Sequence, residues 1–256
     1  MIAASVRGWS AWSHGLDDSQ AWQDWSANPC ELARGGRPEA RFLPAMLRRR
    51  CGSLTRIMLT TAFDCCDADE IVEVNTVFAS RHGNINESID LLDRLALQKP
   101  LSPTKFSHTV HNAQAGLFSI ASENRMPSSS VAAQDDSFAC GYLEALTLLE
   151  RYPERKVLLV VGDVPLPSVF APLVDEPVGS YGLALLLAIH HHDPPDSLAF
   201  EMTTSTGPPG LHRAPIWPDA IEFLRWYLTG EPALVLGRGR RRWHWQRNGN
   251  GVSSAC

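Results

Sequence analysis

The sequence predicts an α/β fold in which helices and strands stack in layers. Three observations carry this. Helical and strand-like segments alternate through most of the 256 residues, the pattern that builds sheets covered by helices. Two runs, Lys156–Val161 (KVLLVV) and Tyr181–Ile189 (YGLALLLAI), are apolar without alternation. Such runs belong to strands buried on both faces, as in parallel sheets. In Ser137–Glu150 (SFACGYLEALTLLE), Phe138, Ala139, Cys140, Tyr142, Leu143, Ala145, Leu146, Leu148 and Leu149 encircle a helix almost completely. A helix apolar all round is buried all round, which predicts a central helix layer with a sheet on either side.

In order, Met1–Trp12 is rich in β-branched and aromatic residues and predicts an opening strand. The stretch to Pro38 is rich in Trp, Asp, Ser, Gly and Pro, and predicts irregular loop with one short helix. Trp9, Trp12, Trp22 and Trp25 are placed at a core edge. Leu54–Cys66 repeats apolar residues at three- and four-residue spacing (Leu54, Ile57, Met58, Thr61, Ala62, Cys65), a helix with Ser53 as its cap. Ile71–Phe78 follows as a strand, and Glu87–Leu97 as a helix with Ile89, Leu92, Leu95 and Ala96 on one apolar face. Beyond the central runs, Leu198–Thr204 is a further strand. Pro218 or Asp219 opens a helix that Gly230 stops. Ala233–Gly237 and Arg241–Gln246 form a hairpin across Gly239, and the final NGNGVSSAC is a disordered tail.

Composition excludes several classes of function. Hydrophobic residues are 44%, charged residues 20%, and the net charge is −5. That charge argues against nucleic acid or an anionic membrane as the main partner. No apolar run reaches the roughly 20 residues a membrane helix needs. Six scattered Cys without a C-x-x-C pair, and no signal peptide, predict reduced thiols in a bacterial-type cytoplasm. Gly237-Arg-Gly239 lacks the third Gly and following helix of a dinucleotide fingerprint, and no phosphate-binding loop or G-x-S-x-G elbow is present. No cofactor or metal is expected. Consecutive His190, His191 and His192 point to alternate sides in extended chain, so at most two could share a metal; a polar strand end is the simpler reading.

The chemistry concentrates in Thr104–Glu150, which reads as helix, short strand, sharp turn and buried helix. The turn presents Gln134, Asp135 and Asp136 at a helix N-terminus. A Cys there would be favoured as thiolate and would form a transferable thioester. A carboxylate is tolerated, by about 0.3–1 kcal/mol, but is a poor nucleophile toward a thioester. His108 and His111, three apart before Asn112, are read as capping or interface residues, with a metal or general-base role as the alternative.

The segments Ser107–Ile120 (SHTVHNAQAGLFSI) and Pro127–Ala133 (PSSSVAA), followed by the apolar helix, resemble the centre of β-ketoacyl-ACP synthases. There a helix with an Asn and an Ala-Gly pair leads to a Pro-Ser strand and the nucleophile elbow. Ala45–Arg56 (AMLRRRCGSLTR) resembles that family's Arg-rich segment before its first core helix. The resemblance spans Met1–Ile189 and is nearest to the short, chain-length-factor-like proteins of aryl-polyene-type clusters.

It implies a thiolase-like layered sandwich (αβαβα) with a truncated or degenerate second half. One domain would span 1–248, with the tail at 249–256. Aligning Pro127-Ser128 with the family's strand puts Asp135 at the catalytic Cys position, and one gap puts Gln134 there. Cys140 lies too far inside the helix and is read as core. After Ile189 no matching motif with two catalytic His appears. The resemblance therefore implies a non-catalytic subunit that pairs with a catalytic ketosynthase and meets acyl carrier protein through that partner. Ser128, Ser129, Ser130 and Val131 would pair across the interface, with the helix from Asn112 beside them. Phe106, Thr109 and Val110 would line the partner's acyl tunnel. Two alternatives stand: an autonomous acyltransferase or thioesterase using Asp135 or Asp136 as base, with His108 or His111, and a scaffold that binds carrier protein.

Overall fold

The opening strand, β1 (Ile2–Trp12), lies inside one mixed sheet of eight strands. The computed structural model describes residues 2–173, 179–189, 197–204, 217–237 and 240–248. After β1 come helices α1 (Ser19–Ala27), α2 (Ala45–Arg50) and α3 (Ser53–Cys65), then strand β2 (Asn75–Ala79). Helices α4 (Ile85–Ala96), α5 (Pro103–Ser107) and α6 (Ala113–Ser122) lead to strand β3 (Ser128–Val131) and helix α7 (Ser137–Arg151). The chain closes with β4 (Val157–Asp163), β5 (Tyr181–Ala188), β6 (Ser197–Thr204), α8 (Asp219–Thr229), β7 (Ala233–Leu236) and β8 (Arg241–Asn248). The sheet order is β3-β2-β4-β5-β1-β6-β8-β7. Pairing is parallel from β3 through β2 to β4 and antiparallel beyond.

The two apolar runs are β4 and β5, and they pair with each other antiparallel, so continuous apolarity here marks burial on both faces rather than a parallel neighbour. Period-two alternation divides β4 between two cores. Val157, Leu159 and Val161 face one cluster with α7 and α8; Leu158 and Val160 face another with α3 and α6. All five are essentially inaccessible, and burial of such side chains is worth about 1.5–3 kcal/mol each.

Helix α7 is covered differently from the expectation. Among the described residues there is one sheet, and α7 packs on it against β2 and β4. Gly141 permits the approach, because a Cβ there would stand 2.8 Å from Ala79 Cβ. Its flank meets aromatic side chains: Phe138 stacks on Trp245 at 5.6 Å, and Tyr142 packs on Phe200, Phe223 and Trp245. Bulky rings from β6, β8 and α8 thus supply cover that a second sheet would have given. Leu143 and Thr147 remain exposed. Strands β6, β8 and β7 continue the same sheet beyond β1.

Several local expectations shift. Ser53 is the first residue of α3, and the cap is Gly52, without a side-chain hydrogen bond. Only Asn75–Ala79 of the strand predicted from Ile71 is extended; the residues before it form turns. On α4 only Leu91 is buried, whereas Leu92 and Leu95 are 58% and 59% exposed. Its apolar face therefore does not serve this chain's core. Cys140 is half-buried and packs against the core on the α7 side of the sheet. Trp12, Trp22 and Trp25 are fully internal, with Trp22 Nε1 donating to Ala11 O at 3.0 Å. Gly230 ends α8 with φ 74°, a conformation glycine adopts without steric cost. His190, His191, His192, Gly239 and residues 249–256 lie outside the described residues. No described helix is long and apolar enough to cross a membrane.

Candidate functional site

The elbow forms where β3 ends and α7 begins. Gln134 has φ 56°, an uncommon conformation for a residue with a Cβ. The 3-10 turn Gln134–Asp136 then feeds α7. Ser137 fixes the turn: its Oγ accepts from Ala133 N–H at 3.0 Å and donates to Gln134 O at 2.7 Å. The strained position is therefore Gln134, the residue a one-residue gap places at the elbow, and Asp135 follows it.

Both carboxylates are engaged. Asp135 pairs with Arg81 Nη1 at 2.6 Å. Asp136, which is buried, accepts from Trp243 Nε1 at 2.9 Å through Oδ1 and pairs with Arg241 Nε at 3.2 Å through Oδ2. A general base needs a carboxylate with an accessible lone pair and a raised pKa. Here Asp135 is already held by Arg81, and Asp136 by Arg241 and Trp243.

Beside this turn, a carboxyl held above its ordinary range is Asp163, at the end of β4. Burial raises it, while donors from Ser80, Arg81 and His82 oppose the shift. The Cys140 thiol is also pushed up, first by burial and then by Asp136, the reverse of what a thiolate nucleophile requires.

The other predicted residues fall into two groups near the same edge of the sheet. Ser128, Ser129, Ser130 and Val131 form β3, the edge strand, which among the described residues pairs only with β2. Ser128 Oγ accepts from Thr76 Oγ1 at 2.8 Å, and Ser129 Oγ donates to Glu144 Oε1 at 2.7 Å. Phe106 and Val110, on α5 and the turn after it, are 65% and 46% exposed. Thr109 is half-buried, and its hydroxyl donates to Phe106 O. Asn112 precedes α6 without a side-chain capping bond. His111 Nε2 lies 3.0 Å from Ser80 O, and His108 borders a basic cleft of about 300 Å³ with Arg37, Arg49, Arg50 and Lys105. Among the described residues no cluster of His, Cys, Asp and Glu could hold a metal.

Arg241 belongs to the basic run near the C-terminus, whose sequence reading is a solvated strand edge, and it instead pairs with Asp136; no motif in the sequence marks Arg81, Asp163 or Trp243. Arg81 follows the carboxyl end of β2 and Asp163 ends β4, at the side where open α/β sheets place their sites. That signal was available. Nothing local marks Trp243.

The sequence profile described as beta-ketoacyl synthase, N-terminal domain, matches residues 22–246. The chain belongs to the β-ketoacyl synthase family. Its fold is thiolase-like, as in solved ketosynthase-type structures. It is similar to a chain of the ketosynthase (ApeO) in complex with its chain length factor (ApeC) from Xenorhabdus doucetiae, at 29% identity and TM-score 0.82, over 96% of this chain and 100% of that one. The ishigamide ketosynthase/chain length factor matches at 16% identity and TM-score 0.63, over 80% of this chain and 68% of that one. A chain of the AntDE:AntF complex, a type II acyl-carrier protein with its ketosynthase, matches at 10% and 0.70, over 96% and 99%. The last two likenesses concern the fold alone. No curated protein matches the sequence.

Proposed function

We propose that this β-ketoacyl synthase homologue is a non-catalytic, chain-length-factor-like subunit. It pairs in the cytoplasm with a catalytic ketosynthase that elongates acyl chains on a carrier protein in an aryl-polyene-like type II pathway. The observation that carries the reading is the elbow: Gln134 stands at its strained apex, and Asp135 and Asp136 are both held by cations. An amide forms no acyl thioester, and a paired carboxylate neither attacks one nor welcomes the carboxylate of a malonyl extender. Condensation therefore belongs to the partner.

The edge of β3, unpaired among the described residues, and the exposed Phe106 and Val110 support pairing on that side of the sheet. Exposed strand edges template pairing with another chain. Mixed with its cognate ketosynthase, the chain co-purifies and is required for elongation. Separate gel-filtration peaks together with unchanged partner activity would sink the proposal. Thioester hydrolysis by the purified chain, abolished by Asp135→Asn, would replace it with the hydrolase reading. A pure scaffold would leave product length unchanged in Val110→Trp.

A further inference from the structure

The loop 80–84, just after β2, is gripped from two sides. On one side lies Asp163. Its Oδ1 accepts from Ser80 Oγ at 2.7 Å and His82 N–H at 3.1 Å, and its Oδ2 accepts from Arg81 N–H at 3.1 Å and the Tyr181 hydroxyl at 3.2 Å. Gly83 N–H closes the turn by donating to Ser80 Oγ at 2.8 Å. From this loop Arg81 reaches the elbow at Asp135.

On the other side the same loop holds the segment that follows α5. His111 Nε2 lies 3.0 Å from Ser80 O. A carbonyl oxygen only accepts, so the ring must carry its proton on Nε2. Asn84 Nδ2 donates to His108 O at 2.6 Å. Gly83 has φ 56°, and a Cβ there would come within 3.4 Å of the His111 ring. Helix α5 has five residues, too few to hold a position by itself. Its place depends on its anchors: Lys105 to Asp90 on α4 at 2.7 Å, His108 O to the loop's Asn84, and His111 to the loop's Ser80 O. Between those anchors Phe106 and Val110 project into solvent.

We infer that His111 and Asn84 are positioning residues that set chain length. They fix the 106–110 segment at a constant distance from the elbow, through a loop that Asp163 holds rigid. The length-setting part rests on the subunit reading proposed above. Neither residue touches the acyl chain; each acts through Phe106 and Val110.

Two variants separate this from a general structural role. His111→Phe keeps a ring and loses the donor, whereas His111→Gln returns a donor near the Nε2 position. In hydrogen–deuterium exchange of the full chain, His111→Phe raises exchange of amides 106–113 at least tenfold with α7 unchanged, and His111→Gln restores protection. With the cognate ketosynthase, His111→Phe still co-purifies but shifts or broadens the product-length distribution, and His111→Gln narrows it again. Asn84→Ala, which removes the second anchor alone, gives the same two shifts if His111→Phe does not fold. Unchanged exchange at 106–113, or a rise spread over the whole chain, overturns the positioning role. Local exchange that rises while product length stays fixed in an intact complex overturns the length-setting role. A wild-type chain that does not bind the ketosynthase overturns the subunit reading, and the length-setting role with it, while the exchange result still decides the anchoring.

Discussion

The indole Nε1 of Trp243 donates to Asp136 Oδ1 at 2.9 Å, joining the last strand to the N-terminus of the elbow helix. Both residues are buried. Hydrogen bonds to charged groups are worth about 1.5–3 kcal/mol. Trp243→Phe keeps most of the stacking on Phe200 and loses the donor. Since Arg241 still pairs with Asp136, a loss near the lower end, about 1.5 kcal/mol, is expected in urea unfolding. An unchanged midpoint would show that the contact contributes nothing.

Tyr142 makes the opposite case. Its ring is central to the aromatic cover of α7, but its buried hydroxyl has no hydrogen-bond partner among the described residues. Burial pushes its pKa well above the ordinary tyrosine value. Removing an unpaired buried polar group recovers its desolvation penalty, on the order of 1–3 kcal/mol, less what the ring environment already relieves. Tyr142→Phe is expected to be neutral or stabilising in the same measurement. A loss above about 1 kcal/mol would mean that the hydroxyl is satisfied.

At Gly141 two effects compete. Alanine gains about 1 kcal/mol over glycine in a helix interior. The new methyl, however, would meet Ala79 Cβ at 2.8 Å and Leu159 Cδ1 at 3.2 Å. Overpacking of a filled core costs about 1–3 kcal/mol, and here the first neighbour is a short side chain on a central strand. The clash wins, and Gly141→Ala lowers the melting temperature. A rise would place α7 farther from β2 than described.

Asp163 sets a pH dependence. Its pKa is raised, chiefly by burial, from the ordinary 3.8. Below 3.8 the group is neutral in both folded and unfolded chains, and its contribution is fully present. As pH rises toward the raised folded value, the unfolded chain ionises first and stability is lost. The stability advantage of wild type over Asp163→Asn is therefore largest near pH 3.8 and shrinks as pH rises, levelling once the folded carboxyl has ionised. Urea midpoints of both proteins across pH 4 to 7 test this; a gap that widens with pH reverses the sign and refutes it.

Much of the architecture was legible locally. Period two and unbroken apolarity located β4 and β5, and 3.6-residue spacing located α3, α7 and α8. The same spacing misled on α4, where Leu92 and Leu95 form an apolar face that the chain's own core does not take. Periodicity reports that a face is apolar, not what covers it. For α7 it reported burial correctly and named the wrong cover.

The sequence by itself determined the α/β class, the family and the absence of a cysteine at the elbow, because these depend on residue types at short spacing. The tertiary structure alone decided that β6, β8 and β7 continue the first sheet, and that rings from β6, β8 and α8 cover α7. It alone decided that Arg81, Arg241 and Trp243 hold the two carboxylates. Strand order brings residues 107 positions apart into contact at Asp136 and Trp243. No local pattern encodes such a pairing, since each partner is satisfied only once the sheet between them has formed.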